Sequence, residues 1–192
     1  MKRLISIALI TITCGAYAKS QICSYEYVQE GSGVSWTAFK TPKKVGVGGK
    51  FTEFSITAKS AKSVADMLNG ATFEINSQSV DTGDKARDVK IMQFFFKKML
   101  KGTKITGKVL KSAEGKVDVE ITMNGSTMVV PMVSSFDQTA KKVVLSGGID
   151  VLKFGMKSNL DSITKACFEK HEGVTWPDVN IELSANVKSD CK

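Results

Sequence analysis

The chain has 192 residues, 42% of them hydrophobic and 24% charged, and carries a formal charge of +8. That balance excludes a disordered or fibrous chain and suits one domain with a sizeable core. The positive charge is spread along the sequence without an arginine-rich stripe of interleaved aromatics, which argues against nucleic acid and leaves an anionic partner such as a phosphate head group open.

At the N-terminus, Lys2 and Arg3 precede an apolar run from Leu4 to Ile12, and Ala16-Tyr17-Ala18 follows. This reads as a signal peptide over residues 1–18 cleaved before Lys19, and predicts an exported, periplasmic protein whose single domain spans 19–192. The apolar run is too short for a membrane span of about 20 residues. Thr11 and Thr13 before Cys14 do not fit a lipoprotein signal. Past the cleavage site stand Cys23, Cys167 and Cys191. An oxidising compartment predicts one disulfide and one remaining thiol. Cys23–Cys191 is favoured, because chain ends often lie close in a closed barrel; Cys23–Cys167 and Cys167–Cys191 stay open.

The dominant signal from there on has period two, the pattern of a strand with one apolar face. Strands are expected over 22–28, 33–40, 47–58 and 71–77, with Gly46, Gly48 and Gly49 marking a bend where a sheet closes. Gly46-Val47-Gly48-Gly49-Lys50 lacks the spacing of a phosphate loop, and strand rather than helix follows it. Asp84 is placed to cap a helix over 85–100 that carries Val89, Met92, Phe95, Phe96 and Met99 at three- and four-residue spacings. A strand over 103–111 comes next. Val117, Val119, Ile121 and Met123 then alternate with polar residues up to Asn124-Gly125, and Met128, Val130 and Met132 resume the alternation. This is a strong hairpin signal. After a strand over 141–151, Leu160, Ile163, Ala166 and Cys167 form a second helical stripe ending at Lys170, His171 and Gly173. Val179, Ile181, Leu183, Ala185 and Val187 make the last strand. The expectation is an all-β antiparallel barrel of about eight strands with two short helices.

Catalytic machinery is not visible. His171 is the single histidine, and neither a nucleophile with its base nor a zinc site can be assembled around it. Its place at a helix end fits a dipole-complementing role. Arg87, with Lys85 or Lys90 nearby, fits either surface pairing or contact with an anionic head group. The aromatic and methionine residues fit either a filled or a hollow barrel, since an eight-stranded barrel can be both.

Val34-Ser35-Trp36-Thr37-Ala38-Phe39-Lys40-Thr41-Pro42 with Val47-Gly48-Gly49-Lys50-Phe51 closely resembles the opening of the YceI-like family. Ile75 to Asp84, then Arg87-Asp88 and Phe94-Phe95, and finally Phe154-Gly155-Met156, are similar to further family motifs in the same order. The resemblance runs from about Cys23 to Val187. It implies a secreted or periplasmic, lipocalin-like barrel enclosing a long isoprenoid chain, either a polyprenyl phosphate or a quinone tail. No other cofactor is implied. The helix around Leu160–His171 and the loop at Gly173–Trp176 depart from the family pattern.

On this reading the chain binds or carries the lipid without catalysis. The apolar lining is expected from Trp36, Phe51, Phe54, Phe73, Ile75 and Met92, together with Phe95, Met123, Met128, Met132, Leu145 and Phe154. Head-group contacts are expected from Lys40, Arg87 and Lys90. Transient contact with a membrane surface stays open, as does the oligomeric state. The rivals are an enzyme acting on a polyprenyl phosphate, and an interaction or stress-response module with a filled core.

Overall fold

A computed structural model describes residues 23–113 and 115–191. The predicted signal peptide lies outside the described residues. Ten strands form one antiparallel sheet: β1 (Cys23–Lys40), β2 (Val45–Phe51), β3 (Phe54–Thr57), β4 (Thr72–Asn76), β5 (Val80–Asp81), β6 (Lys104–Ala113), β7 (Lys116–Met123), β8 (Ser126–Asp137), β9 (Lys142–Asp150) and β10 (Thr175–Cys191). The order across the sheet is β3-β4-β6-β7-β8-β9-β10-β1-β2-β5.

Ten strands replace the expected eight or so: β1 runs through both 22–28 and 33–40, the run over 47–58 is broken in the middle, and the short β5 lies beyond the run over 71–77. Thr52 and Glu53 split the run over 47–58 into β2 and β3, so that β2 pairs with β1 and β5 while β3 pairs with β4. Residues 77–79 likewise separate β4 from β5. The two breaks are bonded to each other: Thr52 N donates to Ser79 O at 2.9 Å, Glu53 N to Ser79 Oγ at 2.9 Å, and Asn76 N to Glu53 O at 3.0 Å. The two edges of the curled sheet therefore meet at one seam.

Helices number four among the described residues, not two: α1 (Val64–Leu68), α2 (Lys85–Phe94), α3 (Lys157–Ala166) and α4 (Phe168–His171). The sequence pattern missed α1, a single turn capped by Ser63, whose Oγ accepts from Asp66 N at 3.1 Å. Asp84 caps α2 as expected, accepting from Ala86 and Arg87 N. That helix ends at Phe94 rather than near 100, giving way to a 3-10 turn over Phe96–Lys98. The β7–β8 hairpin turns at Asn124 and Gly125, with φ of 56° and 80°.

The interior has two halves. Toward the chain ends, Val109, Val117, Val119, Met132, Val143 and Val187 interlock as a fully buried core, closed below by Met67 and Leu68 of α1. At the other end of the same strands, the inward residues stand around open space under α2 and α3. Cross-strand glycines help make room there. Trp36 faces Gly49 and Phe73 faces Gly107, each ring lying where a β-carbon would sit. A Gly107→Ala side chain would collide with the Phe73 ring and come within 2.8 Å of the Glu120 carbonyl. It is expected to cost about 2 kcal/mol through overpacking, read as a lower midpoint in urea at unchanged slope.

A disulfide joins Cys23 to Cys191, which face each other at the end of the β1–β10 ladder. Cys167 is left as a half-buried free thiol. The bond clamps the filled end, opposite the open one.

Candidate functional site

The open half is a cavity of about 370 Å³, at the lower end of the size of small-molecule sites. Strand alternation builds its wall. Val34, Trp36 and Ala38 of β1 point inward at two-residue spacing, as do Val179, Ile181 and Leu183 of β10. Phe51 of β2, Phe73 and Ile75 of β4, and Ile105 and Ile121 continue the wall around the barrel. Ile91, Phe95 and Phe96 from the α2 region and Leu160 and Ile163 from α3 roof it. Phe96 stacks edge-on against both Phe95 and Phe51, with centroids at 5.1 and 5.7 Å, so the roof is bonded to the wall by aromatic contacts.

Among the residues expected to line a cavity, Trp36, Phe51, Phe73, Ile75, Phe95 and Met123 do so. The other six sit elsewhere. Met132 belongs to the filled half, Leu145 is buried opposite the wall residue Leu183 without reaching the cavity, and Phe154 is buried beneath the roof in the turn after β9. Phe54, Met92 and Met128 are half-buried and pack against the core from other positions. The physical reason is position along the strand: period two tells which face a residue takes but not which end of the barrel it occupies.

Charge gathers at the mouth. Lys40 ends β1, Arg87 and Lys90 occupy the first turns of α2, and Lys170 and His171 end α4, all lining the cavity. The single acid among them, Asp84, is the α2 cap. Its carboxyl is held below the usual aspartate range chiefly by the backbone N–H of Arg87, and it pairs with the Arg87 guanidinium at 3.5 Å. Buried Asp88 fixes the helix: its Oδ1 accepts from Thr82 N at 2.8 Å and Thr82 Oγ1 at 2.7 Å, while Oδ2 faces Lys85 Nζ at 3.6 Å. Arg87 and Lys90 are thereby positioned by a neighbour that never touches the cavity.

Lys170 and His171 arrive together at the end of α4. Thr175 Oγ1 holds His171 Nδ1 at 2.7 Å, and Thr164 Oγ1 stands 2.8 Å behind it. Burial, and then the charges of Lys40 and Lys90, push the imidazole below the ordinary histidine value. These surroundings favour the neutral ring over the imidazolium. Sequence reasoning placed His171 at a helix end but had no means of placing it beside Lys40, some 130 residues earlier in the chain (Thr41 N donates to Val174 O at 3.0 Å, which joins the two turns).

Among the described residues no cluster of His, Cys, Asp and Glu has the arrangement of a metal site, and no helix is long and apolar enough to cross a membrane.

The YceI-like domain model matches residues 25–187. No curated protein sequence matches the chain. Solved structures that share its fold include the following three. A polyisoprenoid-binding domain from Saccharophagus degradans, implicated in plant cell wall breakdown, is 15% identical with a TM-score of 0.63, over 86% of this chain and 98% of its own. BcnA of Burkholderia cenocepacia is 20% identical with a TM-score of 0.57, over 82% and 96%. The YceI protein of Campylobacter jejuni is 19% identical with a TM-score of 0.51, over 76% and 85%.

Proposed function

This chain belongs to the YceI-like family, and we propose that it binds and carries an isoprenoid lipid in the periplasm, tail in the cavity and anionic head at the mouth. The observation that carries this reading is the division of one barrel into a filled end and an apolar hollow whose mouth bears Lys40, Arg87, Lys90 and Lys170 against Asp84 alone. Burial stabilises by about 0.8 kcal/mol per CH₂, so each enclosed isoprene unit contributes on the order of 3–4 kcal/mol before ordering costs. The cavity supplies the affinity. The cationic mouth favours a phosphate over a neutral head. Export by the signal peptide places the carrier where a long lipid must cross water between membranes. The role is binding without turnover: the hydroxyl that His171 engages, Thr175 Oγ1, is also hydrogen-bonded to Thr164 Oγ1 and serves to hold the imidazole in place.

Calorimetric titration with a short isoprenyl phosphate and the matching alcohol tests this. Both ligands are expected to bind, the phosphate more tightly, and the difference is expected to shrink in a Lys90→Glu, Arg87→Glu variant. Binding of neither ligand overturns the reading.

His171 makes the binding pH-dependent. Its imidazolium is disfavoured in the free protein, so the free protein loses stability as pH falls below about 6.5 through the depressed value. An anion at the mouth favours the imidazolium and offsets that loss. As pH falls from 7.5 to about 5.5, wild type is expected to gain affinity for the phosphate relative to His171→Gln. With the alcohol no such divergence is expected. Parallel curves for the two proteins with the phosphate would remove His171 from the site.

A second reading concerns the head group. The buried indole N–H of Trp36, in the cavity wall, has no acceptor among the described residues, and a quinone carbonyl is an acceptor of the right kind. Under that reading Trp36→Phe weakens a short-tailed quinone and leaves an isoprenyl phosphate unchanged.

A further inference from the structure

We infer that the rim of the cavity mouth is a docking surface for an anionic lipid bilayer, so that ligand passes between membrane and cavity without entering bulk water. The proposal rests on reading the cavity as a lipid site. It concerns a different set of residues.

Two turns form this rim, one between β1 and β2 and one at α4. They are joined by Thr41 N donating to Val174 O at 3.0 Å and by Trp176 Nε1 donating to Thr41 O at 2.8 Å. Each turn leaves a large apolar side chain in solvent beside the mouth. Phe168 is 64% exposed, two and three residues before the cavity-lining Lys170 and His171. Val45 is 47% exposed and stands opposite Lys40 in the β1–β2 register. Scattered exposed apolar residues are ordinary. These two share the face on which the cavity opens.

Lys43 is exposed on the first turn, and on the second Lys170 stands between the exposed Glu169 and Glu172; the excess of positive charge on this face comes from the mouth, where Lys40, Arg87, Lys90 and Lys170 meet Asp84. Lys44 is committed elsewhere, to Asp178 at 2.7 Å and to the faces of Phe39 and Trp176. A few lysines around one or two shallow apolar anchors give weak, reversible attachment that depends on anionic lipid and falls with salt. A carrier that must leave again needs attachment of that strength. Phe168 also packs against Gly173, where a β-carbon would come within 3.1 Å of the ring. The ring is thus held on the rim without being covered by it.

Flotation of the mature protein with phosphatidylcholine vesicles, with and without phosphatidylglycerol, tests this. Wild type is expected to float with the anionic vesicles at low salt and to be released by added salt. Lys43→Glu is expected to weaken binding about five-fold or more, and Phe168→Ser on the order of ten-fold. Both variants should take up an isoprenyl phosphate from solution like wild type, yet acquire it more slowly from vesicles. Wild type that does not float, or Phe168→Ser that floats equally well, overturns the docking surface while leaving the ligand site standing. A dimer that Phe168→Ser dissolves, without vesicle binding, overturns it by giving the face to a second copy. Loss of uptake from solution in wild type instead defeats the reading of the cavity.

Discussion

An Ile149→Trp, Ile181→Trp double variant is expected to bind an isoprenyl phosphate at least about a hundred-fold more weakly than wild type while staying folded. Both side chains line the cavity and are half-buried, so the added rings enter open space. Excluding even one isoprene unit removes on the order of 3–4 kcal/mol of burial, and a factor of a hundred corresponds to about 2.7 kcal/mol. The contrast lies in the other half of the same barrel. Val143 is 1% exposed among interlocked side chains, so Val143→Phe has nowhere to expand and is expected to lose about 1–3 kcal/mol of stability with little change in affinity. Thermal melts and titrations on both variants separate a hollow end from a filled one. Equal destabilisation by both changes would mean that the barrel has no such division.

Loss of the Cys23–Cys191 bond is expected to have the largest effect on stability of any single change. The two residues are 168 positions apart, and a cross-link closing a loop of that length restrains the unfolded chain by about 5 kcal/mol on the loop-entropy model. That is comparable to the whole stability of many domains. A Cys23→Ser, Cys191→Ser variant should therefore unfold at much lower urea concentration. Because the bond clamps the filled end, affinity per folded molecule should change little. A denaturation midpoint unchanged by the double substitution would show that the β1–β10 ladder holds the chain ends without it.

Most strands and turns, from the run over 22–28 to the last strand, were legible because period two, the Asn124-Gly125 turn and the Asp84 cap are local signals. The breaks at Thr52–Glu53 and 77–79 were not. They arise from hydrogen bonds between two distant segments, made by Ser79 and Asn76, and no local pattern encodes that pairing. α1 escaped for the opposite reason: five residues are too few for a helical period to emerge. At the candidate site, Arg87 and Lys90 were visible as cations opening a capped helix, and the family motifs pointed to Trp36, Phe51 and Ile75. Leu145 and Phe51 are both inward strand residues and look alike in sequence. Each lies opposite a wall residue, Leu183 and Val34 respectively, yet only Phe51 reaches the cavity, so even the register does not tell them apart. Lys170 and His171 needed the joining of the Thr41 and Val174 turns before they could be seen at the mouth.

The central claim is that the hollow half of this barrel holds an isoprenoid lipid. Native mass spectrometry of protein recovered from its own cell, paired with organic extraction of the same sample, tests it most directly. The account predicts a mass adduct that organic solvent releases as an isoprenoid, absent from the Ile149→Trp, Ile181→Trp variant. Protein that carries no lipid, and takes up none when isoprenoids are added, would contradict it.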